Sequence, residues 1–170
     1  MISGENPHLL FKRIIAYCFT LLVMTSIFYF SSQPAAKSTQ VSKGITKKIV
    51  NAVTKNKNIP QKKKKEMVKK LNDFFRKLAH FSLFLLLGIS VFISSSLTFV
   101  KSGNHYIQKN ALISFIISFL YAISDEFHQH FVPGRSPEIR DVLIDSSGSI
   151  IGILLAVAIL SATIKKASHN

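Results

Sequence analysis

Acid is scarce in this chain: eight Asp or Glu stand against 22 Lys or Arg in 170 residues, for a formal net charge of +14. Five of the eight acids, Asp125, Glu126, Glu138, Asp141 and Asp145, fall in one segment, Ser124 to Asp145, together with His128, His130, Arg135 and Arg140. Tryptophan is absent, and cysteine occurs once. Cys18 alone cannot form an internal disulfide; it sits in an apolar run as a small filler, so the redox compartment is not readable from it. Long repeats are missing, which excludes a repeat array. The lysine run from Lys62 to Lys65 is the one tract of low complexity.

What the chain has is bunched apolar sequence, 48% hydrophobic overall. Four blocks stand out: Ile14 to Phe30, Leu78 to Val100, Ala111 to Ile123, and Val142 to Ile164. A hydrocarbon core of roughly 30 Å takes about 20 apolar residues at about 1.5 Å rise each. The second and fourth blocks cross it alone, and the first is just long enough. The third has thirteen residues, and it spans only if its helix continues through Phe131 and carries Asp125 and Glu126 into the membrane boundary. A soluble four-helix protein would show polar faces at the helical period. Leu83 to Ile93 has none beyond Gly88 and Ser90.

The expected fold is all-α: a four-transmembrane-helix bundle with a basic amphipathic helical loop between helices one and two. A single membrane domain covers 1–170, with spans at about 10–30, 77–100, 111–131 and 139–164 and the loop at 31–76. Lys12 and Arg13 precede the first block as in a secretory signal. The run is long for a signal core, and its one cleavage-like triplet, Pro34-Ala35-Ala36, is weak, so it reads as a retained helix.

Residues 31–77 carry fourteen Lys or Arg against two acids, Glu66 and Asp73. No aromatic platform or DNA-binding motif accompanies them, so nucleic acid is not the expected partner. The neighbouring apolar blocks point instead to a lipid bilayer and to anionic lipid or polymer. Val41, Ile45, Ile49 and Val53 recur every four residues among lysines, the pattern of a basic helix on a membrane surface. Ile59-Pro60 interrupts it. A second helix starting near Lys62 then presents Met67, Leu71, Phe74, Phe75 and Leu78 on one face and runs into the second block. The bland reading is a solvated linker. Sidedness pulls two ways: a positive-inside count puts this segment in the cytoplasm, whereas Lys12 and Arg13 put the N-terminus there.

Four antiparallel spans bring the end of the first helix, the start of the second, the end of the third and the start of the fourth to one membrane face. The unusual polar residues sit there: Ser31, Ser32 and Gln33; Arg76, Lys77 and His80; Asp125, Glu126, His128 and Gln129; Arg135, Asp141 and Asp145. Asp125, His128 and Gln129 share one helical face, with Glu126 about 100° away. Asp141, Asp145, Gly148 and Gly152 form another stripe, whose glycine pair admits a close partner helix at which Asp145 should point. Pro133-Gly134-Arg135-Ser136-Pro137 reads as a tight turn, with Pro137 in the first turn of the last helix.

Carboxylates beside imidazoles can form an acid/base pair. His80, Asp125, Glu126, His128, Asp141 and Asp145 are also suitable metal-ligand types, but their spacing matches no established signature, and no metal site is assigned. Equally, Arg76, Arg135 and Arg140 could neutralise the acids in a buried packing network.

The stretches FYFSSQP (28–34), FFRKLAHFSLFLLLG (74–88) and YAISDEFHQHFVPGRSPEIRDVLIDSSGSIIGILL (121–155) together resemble the VanZ-like family of bacterial membrane proteins, in that order and spacing. The combination of R-K-x-x-H, S-D-E-x-H-Q, P-G-R and D-x-x-x-D before a Gly-xxx-Gly helix is specific, although each piece alone is weak. The resemblance covers nearly the whole chain. It implies four membrane helices and a cell-envelope role; the founding member is associated with low-level resistance to the glycopeptide teicoplanin. The family pattern falls on Ser31, Ser32, Gln33, Arg76, Lys77, His80, Asp125, Glu126, His128, Gln129, Pro133, Gly134, Arg135, Asp141 and Asp145. It departs at Ser82-Leu83, where relatives often carry an acid and an aromatic, and in the strongly basic loop.

The expectation is a multi-pass protein of the cell membrane with N and C termini cytoplasmic and the polar cluster facing outward. There it would bind, and perform chemistry on, an anionic envelope lipid, a wall precursor or a glycopeptide. Arg76, Arg135 and Arg140 would hold phosphate or carboxylate, with Ser32, Gln33, Gln129, Asp141 and Asp145 as further ligand-binding residues. His80, Asp125, Glu126 and His128 are the proton-handling candidates. Two other readings stay open, a noncatalytic protein whose cluster is helix glue and a metal-dependent membrane hydrolase. Neither a cofactor nor enzymatic activity is assigned from the sequence.

Overall fold

Pro7 occupies the first turn of helix α1 (Pro7–Ser31), and the Asn6 side chain accepts a hydrogen bond from the His8 amide at 3.1 Å, an N-terminal cap. At 25 residues the helix is about 37 Å long, more than a hydrocarbon core requires. The structure is a computed structural model that describes residues 6–55, 59–99, 104–135 and 138–167; for residues 35–43, 104 and 167 it describes the backbone alone. Pro34 cannot continue α1 and stands instead as the N-cap of α2 (Ala35–Thr54). Pro60 does the same for α3 (Gln61–Thr98), so the break expected at Ile59-Pro60 is present. Next come α4 (Asn104–Gln129) and α5 (Ile139–Ala167), and no strand occurs among the described residues.

The fold is thus all-helical, with four helices, α1, α3, α4 and α5, long and apolar enough to cross a membrane. α3 is the central one. Half of its most apolar window is buried, against 22% for α1 and α4 and 28% for α5. Phe84, Leu87 and Val91 of α3 pack with Val23 and Ile27 of α1 and Ala122 of α4, while Phe92 packs with Ile153 and Ala156 of α5. The outer faces of the other three stay apolar: Phe11, Leu21, Leu22, Leu112, Leu120, Leu154 and Ile159 are exposed, which suits hydrocarbon rather than water. At 38 residues α3 is about 57 Å long, so its lysine-bearing first half extends beyond a bilayer core.

α3 and α5 meet backbone to backbone. A methyl group on Gly152 would overlap the Leu85 carbonyl, one on Gly148 the Phe81 carbonyl, and one on Gly88 the Ser149 carbonyl. The partner that the glycine stripe calls for is therefore α3. In α4 the expectation needs correcting. The helix does not run through Phe131; it stops at Gln129, and hydrogen-bonded turns carry the chain through 130–135, with Gly134 at φ 76°. α4 reaches spanning length at its other end by recruiting residues 104–110. Pro137, expected in the first turn of α5, and the side chain of Val41 lie outside the described residues.

α2 packs against α3 through Thr46, Val50 and Thr54, and Thr46 donates to Asn72 at 2.9 Å. Ile45, Ile49 and Val53 are exposed on the other side, as a membrane-surface helix would present them.

Candidate functional site

At the end of the bundle where α1 finishes, the polar residues of four helices meet. Asp125 sits in the last turn of α4, on the face turned to α1 and α3. Its Oδ2 accepts from Ser31 Oγ at 2.8 Å and from Gln129 Nε2 at 2.9 Å, one helical turn on. His80, from the middle of α3, places Nδ1 3.9 Å from Asp125 Oδ2 and 3.9 Å from Asp145 Oδ2. The glycine stripe one turn below Asp145 is what lets α5 bring that carboxylate so close to α3. All three side chains are buried, at 9% exposure or less.

Arg135, in the turn after α4, closes the site. It donates to Gln129 Oε1 at 2.8 Å, to the Gln33 carbonyl at 3.1 Å and to the Phe30 carbonyl at 3.0 Å. The two carbonyls lie at the C-terminal end of α1, where free acceptors and the helix dipole favour a cation. Burial, and after it the positive Arg76, pulls the Arg135 guanidinium below its ordinary pKa, yet a guanidinium stays charged well above neutrality.

Glu126 points elsewhere. Its Oε1 accepts the Glu138 backbone N–H at 2.6 Å, just before α5 begins, so a carboxylate sits at the positive end of that helix. Glu126 Oε2 is buried with no hydrogen-bond partner among the described residues. Lys77 bridges α3 to α5 by donating to Asp141 Oδ1 and to Glu138 Oε2, the latter at 3.2 Å. Arg76 pairs with Asp73 at 3.7 Å.

Two expected members stand apart. His128 packs on Phe28 with ring centroids 4.5 Å apart, and its Nε2 meets Ser32 Oγ at 3.0 Å, so it belongs to the contact between α4 and α1 and not to the His80 cluster. Arg140 is exposed and lines neither of the cavities described below. Gln33 takes part through its carbonyl; its side-chain amide turns back to the Tyr29 carbonyl at 3.3 Å.

Beside the cluster lies an open groove of about 790 Å³ between α2, the first half of α3 and the turn before α5. Six cations line it, Lys47, Lys64, Lys65, Lys69, Arg76 and Arg135, against three acids, Asp73, Glu138 and Asp141. Arg76, Gln129 and Asp141 also line a small inner chamber that reaches Lys77, His80 and Asp145. The groove thus leads to the buried cluster. Sequence reasoning placed Lys47 on a membrane-surface helix and Lys64, Lys65 and Lys69 on the helix leading into the second apolar block, and missed the wall they share. The available signal was the second stripe of α2, Thr46, Val50 and Thr54, at the same spacing as the apolar one. Glu138, counted among the clustered acids, was not assigned to the site, because its contact with Glu126 is made by its backbone.

Comparison with known proteins gives one match. A family model described as VanZ/LLP1 covers residues 15–161. No curated protein and no solved structure matches the chain.

Proposed function

This chain belongs to the VanZ/LLP1 family, and we propose that it is a multi-pass protein of the cell membrane whose groove binds a phosphate-bearing anionic component of the envelope, a lipid or a lipid-linked wall precursor. The observation that carries this is the groove lining, six cations to three acids, on a wall continuous with a chamber floored by His80 and Asp145. Cations from two helices can hold a phosphate from two sides, Lys47 from α2 and Lys64, Lys65 and Lys69 from α3 as point charges, with the Arg76 guanidinium offering paired donors if it leaves Asp73. The exposed Ile45, Ile49 and Val53 of α2 would let acyl chains run from the groove into the bilayer. His80, which lines the chamber, would be the group to move a proton at a ligand that enters it, with Asp125 3.9 Å from its Nδ1.

The topology that goes with this reading puts both termini in the cytoplasm and the groove outside. There it meets the precursors that glycopeptides recognise, and the protein alters glycopeptide susceptibility. Reporter fusions at Asn56 and Asn170 check the topology, with Asn56 expected outside. An inside Asn56, as the charge count over 31–77 suggests, would confine the ligand to the inner leaflet. Binding is tested by titrating detergent-solubilised protein with short-chain phosphatidylglycerol and with phosphatidylcholine. At least tenfold tighter binding of the anionic lipid is expected, weakening with salt, with the preference lost in Lys65→Gln/Lys69→Gln. Equal affinity for the two lipids, or an unchanged double variant, overturns the reading.

A second reading has its own observation. Arg135 spends its donors on Gln129 and two α1 carbonyls and on no carboxylate, as a residue that glues helices would. A chain whose groove variants bind lipid normally would be left with this role.

A further inference from the structure

Asp145 is 3% exposed, deep between α3 and α5, and among the described residues no hydrogen-bond donor reaches its carboxylate; its one ion-pair contact is His80 Nδ1 at 3.9 Å. Asp125, the other carboxylate on the same imidazole, is held from behind by Ser31 and Gln129. Were both ionised, two buried carboxylates on a single imidazole would carry negative charge without full compensation, which is costly at this depth. The nearby cations are engaged elsewhere: Lys77 with Asp141 and Glu138, Arg76 with Asp73, and Arg135 with Gln129 and two carbonyls.

We infer that His80, Asp125 and Asp145 form a binding site for one divalent metal ion. One ligand atom from each lies within 4.8 Å of the others, and the three come from α3, α4 and α5. Metal–ligand bonds of about 2.1 Å hold donor atoms about 3 to 4 Å apart, so a small side-chain rotation closes the set. The mixed nitrogen and oxygen donors suit Mn2+ or Zn2+ better than Ca2+. Ser31 and Gln129 bind the Asp125 carboxylate as outer partners of a metal ligand do, and Arg135 steadies Gln129 in turn. Next to the set lies the inner chamber, of about 10 Å³, close to one water or ion; it is lined by Asp145, His80 and Lys77 but not by Asp125, and it opens past Arg76, Gln129 and Asp141 into the groove, which gives an ion a way in.

Three protein ligands leave coordination positions open toward the groove. The ion would thus face the phosphate of a bound anionic lipid and act as a further counter-charge. That last step rests on the groove reading; metal binding itself does not.

The test uses the full chain in detergent, stripped with chelator and titrated with Mn2+ in the absence of lipid. One Mn2+ per chain is expected, with an electron-spin-echo signature of directly bound nitrogen. Asp145→Asn and His80→Ala should each weaken Mn2+ binding at least tenfold, whereas Lys65→Gln/Lys69→Gln should leave it unchanged. Folding of each variant is checked by helical circular dichroism and gel filtration. A folded Asp145→Asn that binds Mn2+ normally, or wild-type binding without the nitrogen signature, overturns the inference. The wild-type spectrum decides even if both variants fail to fold. Failure here leaves the lipid titration standing, and loss of lipid binding leaves the Mn2+ titration standing, so the two readings fail separately.

Discussion

The two ends of the bundle place polar groups at membrane depth with different chemistry. At the end carrying Arg13, hydroxyls predominate: Thr20 Oγ1 meets Ser94 Oγ at 3.1 Å, Tyr17 Oη meets Thr98 Oγ1 at 2.6 Å, and Ser95 Oγ meets Ser114 Oγ at 3.2 Å. Arg13 Nε donates to the Leu97 carbonyl at 2.9 Å, near the C-terminal end of α3, much as Arg135 does for α1. At the other end Asp125, Asp145, Glu126 and His80 are buried together. Among the described residues both ends leave buried atoms unbonded: Ser96 Oγ, Asn110 Oδ1 and Ser118 Oγ toward the first, Glu126 Oε2 at the second. A neutral hydroxyl or amide in that state costs little beside an uncompensated carboxylate. The hydroxyl end can therefore be explained by packing alone. The carboxylate end gathers groups that are costly to bury together, and that asymmetry is what supports reading it as a site.

The largest expected effect removes both ends at once. Gly152→Leu drives a side chain into the Leu85 carbonyl, and the overpacking should cost about 3 kcal/mol or more, seen as loss of the folded peak in gel filtration and of cooperative melting. Normal melting would mean that the α3–α5 seam does not set the geometry of the cluster. Arg135→Gln comes next. It strips charge-assisted bonds from two α1 carbonyls and from Gln129 and should lower stability by about 2 to 3 kcal/mol while weakening anionic-lipid binding. Arg13→Gln makes the same change at the opposite end. About 1 to 2 kcal/mol is expected from thermal unfolding, with lipid affinity untouched. If lipid affinity falls as far as in Arg135→Gln, the two ends are not functionally distinct.

The fold was legible wherever block length decided it. Residues 78–98 of the second block and Val142 to Ile164 lie in helices that can span a membrane, because an apolar run of that length has few alternatives. α4 was less legible: His105, Gln108, Lys109 and Asn110 hide its first turns, and the length was sought past Gln129, where the turn into α5 starts. Topology alone predicted that Ser31, His80, Asp125 and Asp145 would share one end, since alternating crossings leave no other arrangement. The groove was not legible. Its wall depends on Thr46, Val50 and Thr54 being the buried stripe of α2, and threonine serves equally on a surface. Asp125, His128 and Gln129 share a helical face, but which neighbour each meets depends on the rotation of α4 against α1, and periodicity does not encode that.

The sharpest comparison uses the smallest change. Ser31 and Ser94 are both buried in the bundle, and replacing either with alanine deletes one hydroxyl. Interhelical hydrogen bonds in membranes are worth about 0.6 kcal/mol on average, so Ser94→Ala and Ser31→Ala should shift the melting transition by similar small amounts. Their other consequences should diverge. Among the described residues the Ser94 hydroxyl bonds Thr20, so its loss is confined to packing between α1 and α3. Ser31 positions Asp125 Oδ2, and loss of an outer partner of a metal ligand typically weakens metal affinity by about 10- to 100-fold. A Mn2+ titration of the two variants side by side therefore separates packing from site. Equal affinities would reduce the carboxylate end to the same helix glue that the hydroxyl end already is.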